Sequence, residues 1–387
     1  MEREELSAWL RLTLTPGVGS QTGRSLLAAF GLPQAIFCQS ETALAQVASR
    51  AQARALLTEA PGHALQLEQT WDWLHQHENP GAQRALTVLG DPLYPQALLA
   101  SEDPPLLLYL MGQLSARNGM GPDPFGHCIA VVGSRNPTPQ GQENARRFGH
   151  ALVDAGLTVV SGMALGIDGA AHEGALDAAG NERSRWATVA VLGTGLDRVY
   201  PSRHLELARR IAQHGLLVSE YPLGTPPLPS NFPKRNRIIA GLCMGTLVVE
   251  AALQSGSLIT ARMAAEQGKE VFAIPGSIHS PLSRGCHALI RQGAKLVEHA
   301  QDILEELKIA MAADDDPWTS AAHTRYSGSE SANALLRALG HDPVGLDALS
   351  ARTGLDTASM QVQLLELELA GEVSRLPGGL FQRLGRA

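Results

Sequence analysis

The sequence lacks several features that would each indicate a particular class of protein. Its 387 residues include only four cysteines, and no two of them form a C-x-x-C pair. This excludes a zinc ribbon and a disulfide framework. No apolar run approaches the roughly 20 residues that a membrane span needs, and Met1–Glu5 has neither the basic nor the apolar part of a signal peptide. We therefore expect a cytoplasmic protein that makes no membrane contact.

Complete motifs for nucleotide or metal binding are also missing. No G-x-x-x-x-G-K-[ST] sequence is present, so an ATP site of the Walker type is excluded. Gly193-Thr194-Gly195 is followed by Leu196-Asp197-Arg198, which leaves out the third glycine of a dinucleotide fingerprint. We expect no cofactor, no metal ion and no catalytic residue.

The net charge of −7 argues against a nucleic-acid partner, but the charges are unevenly distributed. Residues 201–240 contain only two acidic residues, Glu206 and Glu220, against six basic ones: Arg203, Arg209, Arg210, Lys234, Arg235 and Arg237. The sequence therefore predicts a local basic patch on an otherwise acidic protein.

Composition changes along the chain predict three domains and a linker. Residues 1–78 are helix-forming and form a helical domain of the SAM or helix-hairpin-helix type, with a G-x-G turn at Gly17-Val18-Gly19. Such a turn can hold a phosphate, although a plain helix connection is the alternative. Residues 79–310 form the central domain, 311–330 a linker and 331–387 a winged helix.

The central domain begins with a lead-in rich in proline and glycine, in which the apolar run Leu106–Met111 is expected to supply one strand. From Ile129 onward, short apolar runs alternate with helical patterns. This alternation is typical of an α/β fold with a Rossmann-like parallel sheet covered on both faces. The predicted strands are Ile129–Val132, Thr158–Val160, Thr188–Leu192, Leu216–Val218, Thr246–Val249, Glu270–Ile274 and Lys295–Glu298.

Glycine-rich turns follow three of these strands, at the sheet edge where such folds bind ligands. The turns contain Gly133-Ser134-Arg135, Gly162-Met163 and Gly193-Thr194-Gly195. Glycine lets backbone N–H groups approach a phosphate closely, and the helix that follows favours an anion. One such turn is weak evidence, but several along one edge indicate a site for successive phosphates.

A basic and aromatic segment precedes the apolar part of a predicted helix. It contains Phe232, Lys234, Arg235, Asn236 and Arg237. Guanidinium groups can bind phosphates through two hydrogen bonds, and a phenyl ring can stack on an unpaired base. The turn Ser255-Gly256-Ser257 opens another helix with small residues that permit close backbone approach. A solvated helix cap is the alternative interpretation of the basic segment.

These segments together resemble the DNA processing protein A (DprA/Smf) family. The resemblance spans roughly Gly90 to Gly293 and rests on VVGSR at Val131–Arg135, SGMALGIDGAAH at Ser161–His172, AVLGTGLDRVYP at Ala190–Pro201, SEYPLG at Ser219–Gly224, FPKRNRIIAGL at Phe232–Leu242 and VFAIPGSI at Val271–Ile278. The helical N-terminal region and the winged helix also match the family's usual arrangement.

The resemblance implies a homodimer that binds and protects incoming single-stranded DNA and loads RecA onto it during natural transformation and recombination. Single-stranded-DNA-binding protein is implied as a further partner. The implied DNA contacts are Gly133, Ser134, Arg135, Gly162, Met163, Arg203, Phe232, Lys234, Arg235, Asn236, Arg237, Ser255, Gly256 and Ser257. In one departure from the family, Leu228-Pro229-Ser230-Asn231 stands where several members place a lysine.

Two patterns favour an enzyme instead. Ser161, Asp168 and His172 could form a hydrolase triad, but an aspartate that caps a helix and a histidine that packs locally are the better interpretation. Glu250 after Gly245-Thr246 is similar to the G-G-x-G-T-x-x-E motif of lysine-decarboxylase-like phosphoribohydrolases, although Cys243 breaks that motif. A nucleotide-processing Rossmann enzyme of this type is the alternative function.

The winged helix is not expected to be the main DNA reader. Its predicted third helix, which begins at Asp356, contains no lysine or arginine. A DNA-reading helix normally carries cationic or amide side chains that reach base edges. We expect this domain to contact protein or to have a regulatory role.

Overall fold

The computed structural model describes residues 1–76, 82–114, 124–179, 185–309, 330–340 and 342–384. The N-terminal region is entirely helical up to His75. Its helices are α1 (Arg3–Leu14), α2 (Ser20–Phe30), α3 (Pro33–Phe37), α4 (Glu41–Leu44), α5 (Arg50–Leu57) and α6 (His63–His75).

The central region contains one nine-stranded sheet. Its strands are β1 (Gln83–Val88), β2 (Leu107–Gly112), β3 (Cys128–Val132), β4 (Thr158–Ser161), β5 (Thr188–Val191), β6 (Leu216–Ser219), β7 (Gly245–Val248), β8 (Glu270–Ala273) and β9 (Lys295–Leu296). The order across the sheet is β1-β2-β6-β5-β4-β3-β7-β8-β9, and β3 to β9 are parallel. This confirms the predicted Rossmann-like fold class.

In the described part of the central region, seven helices connect the strands and an eighth follows the last strand. They are α7 (Gln96–Leu99), α8 (Pro139–Asp154), α9 (Ile167–Ala178), α10 (Leu205–His214), α11 (Asn231–Leu242), α12 (Ser257–Glu266), α13 (Arg284–Arg291) and α14 (Ala300–Glu306), with a short 3-10 helix at Ser202–His204 before α10.

The continuously apolar strands bury both faces of the sheet. Along β3, Ile129 and Val131 face the core beneath α8, α9 and α14, whereas Ala130 and Val132 face the core beneath α11 and α12. This alternation follows from the two-residue period of a strand. Since both faces are covered, the strand ends are the part of the sheet left open to a ligand.

The edge formed by β1 and β2 departs from the prediction. The sequence favoured one strand in the lead-in, but two are present, and β1 pairs antiparallel with β2, which pairs antiparallel with β6. Leu86 and Val88 of β1 share one apolar cluster with Trp9 and Leu26 of the N-terminal helices. The strand β1 was missed because this long-range burial, and not a local pattern, stabilises it.

The C-terminal residues form a small winged helix with its own apolar cluster. Its elements are α15 (Glu330–Leu339), β10 (Val344–Gly345), α16 (Leu346–Thr353), α17 (Thr357–Leu369), β11 (Val373–Leu376) and β12 (Leu380–Arg383). Leu335, Leu349, Leu364 and Phe381 lie in its core. The predicted linker 311–330 lies outside the described residues except for Glu330. Across the described ranges, no helix is long and apolar enough to span a membrane.

Candidate nucleic-acid interface

A pocket of about 640 Å³ opens where the carboxyl ends of the parallel strands meet the first turns of α11 and α12. The turn after β3 forms one wall and the start of α11 the other. Nine of the predicted site residues line it: Gly133, Ser134, Arg135, Phe232, Arg235, Asn236, Ser255, Gly256 and Ser257. The fold thus brings together residues that lie up to 124 positions apart in the sequence.

The turn after β3 is held by the end of β7 so that Arg135 faces solvent. A Cβ atom on Gly133 would lie 2.7 Å from Ile167 Cγ1 and 2.9 Å from the Glu250 carbonyl oxygen, so only glycine fits. The Ser134 amide donates to that carbonyl at 2.7 Å, and Ser134 Oγ accepts from the Asn136 amide at 3.1 Å. Ser134 is buried, whereas the Arg135 side chain is exposed and can reach a ligand.

Two aromatic rings and one cation form a cluster on the pocket wall. The Phe232 ring lies 5.4 Å from the Tyr200 ring, with 36° between their planes. The Arg135 guanidinium lies 5.8 Å from the Phe232 ring centroid, within range of a cation–π contact. A Cβ atom on Gly193 would lie 2.9 Å from Phe232 Cδ1, so the third glycine-rich turn makes space for the phenyl ring.

The first turn of α12 contributes small polar groups. Ser255 Oγ and Ser257 Oγ lie 2.7 Å apart, and Asn236 Nδ2 donates to the Gly256 carbonyl at 3.4 Å, which ties α11 to α12. A Cβ atom on Gly256 would meet nothing within 4 Å, so this turn is open. An anion at this position would lie at the positive end of α12.

Arg235, Gly162 and Met163, three of the predicted DNA contacts, make contacts within the protein interior. Arg235 is 4% exposed, and its guanidinium donates to the Val191 carbonyl. A Cβ atom on Gly162 would collide with that guanidinium at 2.5 Å, and the Gly162 amide donates to Asp168 Oδ2 at 3.1 Å. Met163 is fully buried. A deeply buried arginine was not distinguishable from an exposed one in the basic run.

The predicted basic patch is also largely neutralised within the protein. Arg237 pairs with Glu220 at 2.6 Å and with Asp103 at 3.0 Å, so its charge is not free for a phosphate. Arg209 pairs with Glu206 and Arg210 with Asp177. The exposed cations of this stretch that have no ion pair within the described residues are Arg203 and Lys234.

Arg203 and Lys234 lie outside the lining of the main pocket as far as the described residues define it. Lys234 instead lines a smaller pocket of about 180 Å³, together with Gly19 and Ser20 at the start of α2. Its position therefore connects the basic segment with the G-x-G turn of the N-terminal region.

The residues of the suspected hydrolase triad do not make the contacts that a triad needs. Ser161 Oγ donates to the Val131 carbonyl at 2.6 Å, and Asp168 accepts from the amides of Gly162 and Ala164. His172 Nδ1 lies 2.6 Å from Thr188 Oγ1, whose proton goes to the Val159 carbonyl, so Nδ1 is the protonated ring nitrogen. The contacts of His172 agree with a locally packed histidine. The prediction of a helix-capping aspartate is wrong, because Gly166 is the N-cap of α9 and Asp168 instead holds the turn that precedes the helix.

Burial also shifts the pKa values of these groups. It lowers the pKa of His172 from 6.5 to about 3, so the ring is neutral at pH 7. It raises the pKa of Asp168, while the Arg235 guanidinium acts in the opposite direction. It lowers the pKa of Arg235 to about 10, which leaves that group charged at neutral pH.

Glu250 occupies the position that suggested a phosphoribohydrolase. Its carboxylate accepts from Thr138 Oγ1 at 2.5 Å and from the Thr138 amide at 2.9 Å, at the N-terminus of α8. Burial raises the pKa of Glu250, and these two hydrogen bonds act against that rise. In the described residues, no group of three or more His, Cys, Asp or Glu side chains is placed to hold a metal ion.

Sequence reasoning missed several residues that line the pocket, among them Tyr200 and Gln254. Tyr200, 47% exposed, stacks beside Phe232, and Gln254 lies next to Ser255. Tyr200 belongs to the AVLGTGLDRVYP segment, so its aromatic ring next to a glycine-rich turn was a usable signal. Gln254 carried no signal, since an isolated amide in a loop has no distinctive pattern.

Comparison with known proteins relates this chain and its fold to known families. The family model described as DNA recombination-mediator protein A matches residues 85–308, and the DprA winged helix domain model matches residues 319–379. The first match alone covers more than half of the chain.

Individual relatives agree with the family that these models indicate. Protein Smf of Escherichia coli is 42% identical over 327 residues, which cover 83% of this chain and 82% of that protein. The DNA processing protein DprA of Streptococcus pneumoniae is 46% identical over 218 residues, covering 56% of this chain and 72% of that protein.

Two solved structures share the fold. The X-ray structure of DprA from Streptococcus pneumoniae matches with a TM-score of 0.63 at 35% identity, over 79% of this chain and 98% of that one. A structure of DNA processing protein A from Helicobacter pylori, described for its single-stranded DNA binding mode, matches with a TM-score of 0.50 at 28% identity, over 59% of this chain and 97% of that one. The chain therefore belongs to the DNA processing protein A (DprA/Smf) family, whose central domain is the DNA recombination-mediator protein A domain.

Proposed function

We propose that this protein binds single-stranded DNA in the pocket between the turn after β3 and the first turns of α11 and α12. One observation carries the proposal: the exposed Arg135 and Tyr200 and the half-buried Phe232 form a cation–aromatic cluster on the pocket wall. A nucleotide of a single strand offers the two groups that this cluster suits, namely a phosphate and an unstacked base.

Each group of the pocket then has a separate role. The Arg135 guanidinium binds a phosphate, and the N-terminal turn of α12 at Ser255–Ser257 binds a neighbouring one. The Phe232 ring stacks on a base, with Tyr200 extending the stacking surface. Because a base inside a duplex has both faces occupied, stacking of this kind selects for single strands. Contacts to phosphates and ring faces read no base edges, so little sequence preference is expected.

The relatives support this proposal. The Helicobacter pylori structure is described for a single-stranded DNA binding mode, and the matching family model is described as a recombination mediator. We extend the proposal accordingly: the protein protects incoming DNA in natural transformation, delivers it to RecA in competition with single-stranded-DNA-binding protein, and carries out no chemistry on the strand.

We also propose that it acts as a homodimer. The exposed apolar side chains Leu253, Ile278 and Leu296 belong to the β7–β9 side of the sheet, where they are available to a second copy. Light scattering during size-exclusion chromatography tests this: a monomeric mass at micromolar concentration would contradict it.

Fluorescence anisotropy with a labelled oligothymidine strand tests the central proposal. The wild type should bind the strand without nucleotide and should bind a duplex of the same length much more weakly. The double variant Arg135→Ala/Phe232→Ala should lose on the order of a hundredfold in affinity, since stacking alone is worth about 1–3 kcal/mol. Arg54→Ala, which removes an exposed arginine of α5, is the matched control. Wild-type affinity in the double variant, with an unchanged melting curve, would reject this site.

A strand-exchange assay tests the delivery to RecA. RecA is added to DNA already coated with single-stranded-DNA-binding protein, where it nucleates slowly. The wild-type protein should shorten the lag before strand exchange begins, and the Arg135→Ala/Phe232→Ala variant should not. An equal lag with and without the wild-type protein would contradict RecA loading.

A further inference from the structure

The third helix of the winged helix, α17, carries apolar residues on two opposite faces. Met360, Leu364 and Leu367 are buried in the domain core. Val362, Leu365 and Leu369 are exposed, at 59%, 56% and 81% of their surface. The buried set packs the helix into its domain, whereas more than half of the surface of each residue in the exposed set faces solvent.

The exposed apolar residues form a regular stripe along the helix. Together with the exposed Ala358, they follow a spacing of four, three and four residues, which is the spacing of a and d positions in a coiled coil. At about 100° per residue, all four fall within roughly 60° of the helix circumference. We call Ala358, Val362, Leu365 and Leu369 the outer seam.

Carboxylates border the outer seam. Glu366 and Glu368 are both exposed and lie on opposite sides of it, at the positions that carry the partner-selecting charges in a helix pair. Neither forms an ion pair with the residues that the structure describes. The α17 sequence, TASMQVQLLELEL, contains no lysine or arginine.

We propose that the outer seam is a docking surface for a cationic amphipathic helix of another protein. The partner helix would place leucine-like residues against the outer seam and lysine or arginine against Glu366 and Glu368. This binding is independent of the DNA-binding pocket, and its partner is defined here by chemistry alone.

Charge excludes the two other obvious occupants. DNA would bring phosphates next to Glu366 and Glu368, and no cation on α17 offsets that repulsion. A second copy of α17 would match the apolar seam, but it would offer no counter-charge to the same carboxylates. A cationic helix satisfies both the apolar seam and the acidic border.

Two synthetic peptides test the proposal with the full-length protein. Both are 21-residue helices with leucine at the a and d positions; one carries lysine at e and g, and the other carries glutamate there. Fluorescence anisotropy should show that the wild type binds the lysine peptide at least about tenfold more tightly than the glutamate peptide. The variant Glu366→Lys/Glu368→Lys should reverse that preference. An apolar surface that bound helices without regard to charge would show no such reversal.

A triple variant tests the apolar part. Val362→Gln/Leu365→Gln/Leu369→Gln should weaken binding of the lysine peptide at least about tenfold, because it removes the apolar area that the partner buries. Leu65→Gln, at an exposed leucine of α6, is the matched control and should bind as the wild type does. If the triple variant fails to fold, the Glu366→Lys/Glu368→Lys variant still tests the proposal.

Three results would overturn the proposal. They are equal affinity for the two peptides, an unchanged preference after charge reversal, and wild-type binding by a folded triple variant. Light scattering adds a fourth: loss of self-association in the triple variant would assign the outer seam to a second copy of this chain.

Discussion

The helices α11 and α17 make an instructive comparison, because each occupies a place where a nucleic-acid contact could be expected. The first turn of α11 places Phe232 in a pocket beside Arg135 and Tyr200. In contrast, α17 exposes an apolar stripe bordered by carboxylates. The difference shows that the side chains exposed at a helix, and not its place in a familiar fold, decide which partner it suits.

A second contrast lies within the pocket itself. Arg135 is exposed and free to bind a ligand, whereas Arg235 is buried and donates to the Val191 carbonyl. Both are arginines next to glycine-rich turns. The two arginines differ in their burial, and the consequence of this difference can be tested.

The largest effect is expected for stability, at Arg235. Arg235→Met should lower the free energy of unfolding by about 3–5 kcal/mol, because it removes the buried cation that favours ionised Asp168 and leaves the Val191 carbonyl without its donor. Arg135→Met, at the exposed position, should stay within about 0.5 kcal/mol of the wild type. Urea denaturation of the two variants measures both values. Equal losses would mean that the two arginines do not differ as the structure indicates.

The next effect concerns DNA affinity and contrasts α11 with α17. Phe232→Ala should lose about 1–3 kcal/mol of binding free energy for a single strand, because a stacked base loses its platform. Leu365→Ala, on the outer seam of α17, should leave that affinity unchanged. Fluorescence anisotropy titrations with a labelled single strand measure the DNA affinity of both variants. A loss from Leu365→Ala as large as that from Phe232→Ala would place DNA on the winged helix.

The pH dependence of stability should reveal the buried His172. Its folded pKa of about 3 lies below the ordinary value of 6.5, so the unfolded chain takes up a proton first as the pH falls. The stability that neutral His172 contributes is complete above pH 6.5 and declines by about 1.4 kcal/mol per pH unit between 6.5 and about 3. Urea denaturation at pH 5 and pH 7 should show a smaller difference for His172→Gln than for the wild type. Equal differences would mean that the ring is not buried in its neutral form.

A smaller effect is expected for Lys234, which lies in the second pocket. If the strand extends past the main pocket towards α2, Lys234→Ala should reduce the slope of log affinity against log salt by about 0.7, the value for one phosphate of a single strand. Lys308→Ala, at a cation near the end of the central region, serves as the control. An unchanged slope would confine the strand to the main pocket.

The smallest effect should follow removal of the winged helix. A chain that ends after Ile309 keeps Leu307 and Ile309, which pack against the core of the central sheet. It should bind single-stranded DNA within a few-fold of the full-length protein. A loss of about a hundredfold (2.7 kcal/mol), with the central region still folded, would show that the winged helix contributes to DNA binding after all.

Much of the architecture followed from local pattern. The apolar runs between Ile129 and Ile274 predicted the parallel strands β3 to β8, because a strand buried on both faces is mostly apolar. The short strand β9 at the sheet edge is exposed. The winged helix was likewise readable from three helical patterns and a hairpin with a Pro377-Gly378-Gly379 turn. The strand β1 could not be predicted from local pattern, since its stability comes from residues of the N-terminal helices that are distant in sequence.

For the site, the sequence determined which turns and which basic segment converge on one edge of the sheet, because parallel strands present their carboxyl ends together. Only the tertiary structure decided which charges remain available. Arg235 and Arg237 are two residues apart, yet one turns into the core and the other pairs with Glu220 and Asp103. A basic run specifies how many cations a segment has, whereas burial and distant carboxylates decide how many of them a ligand can reach.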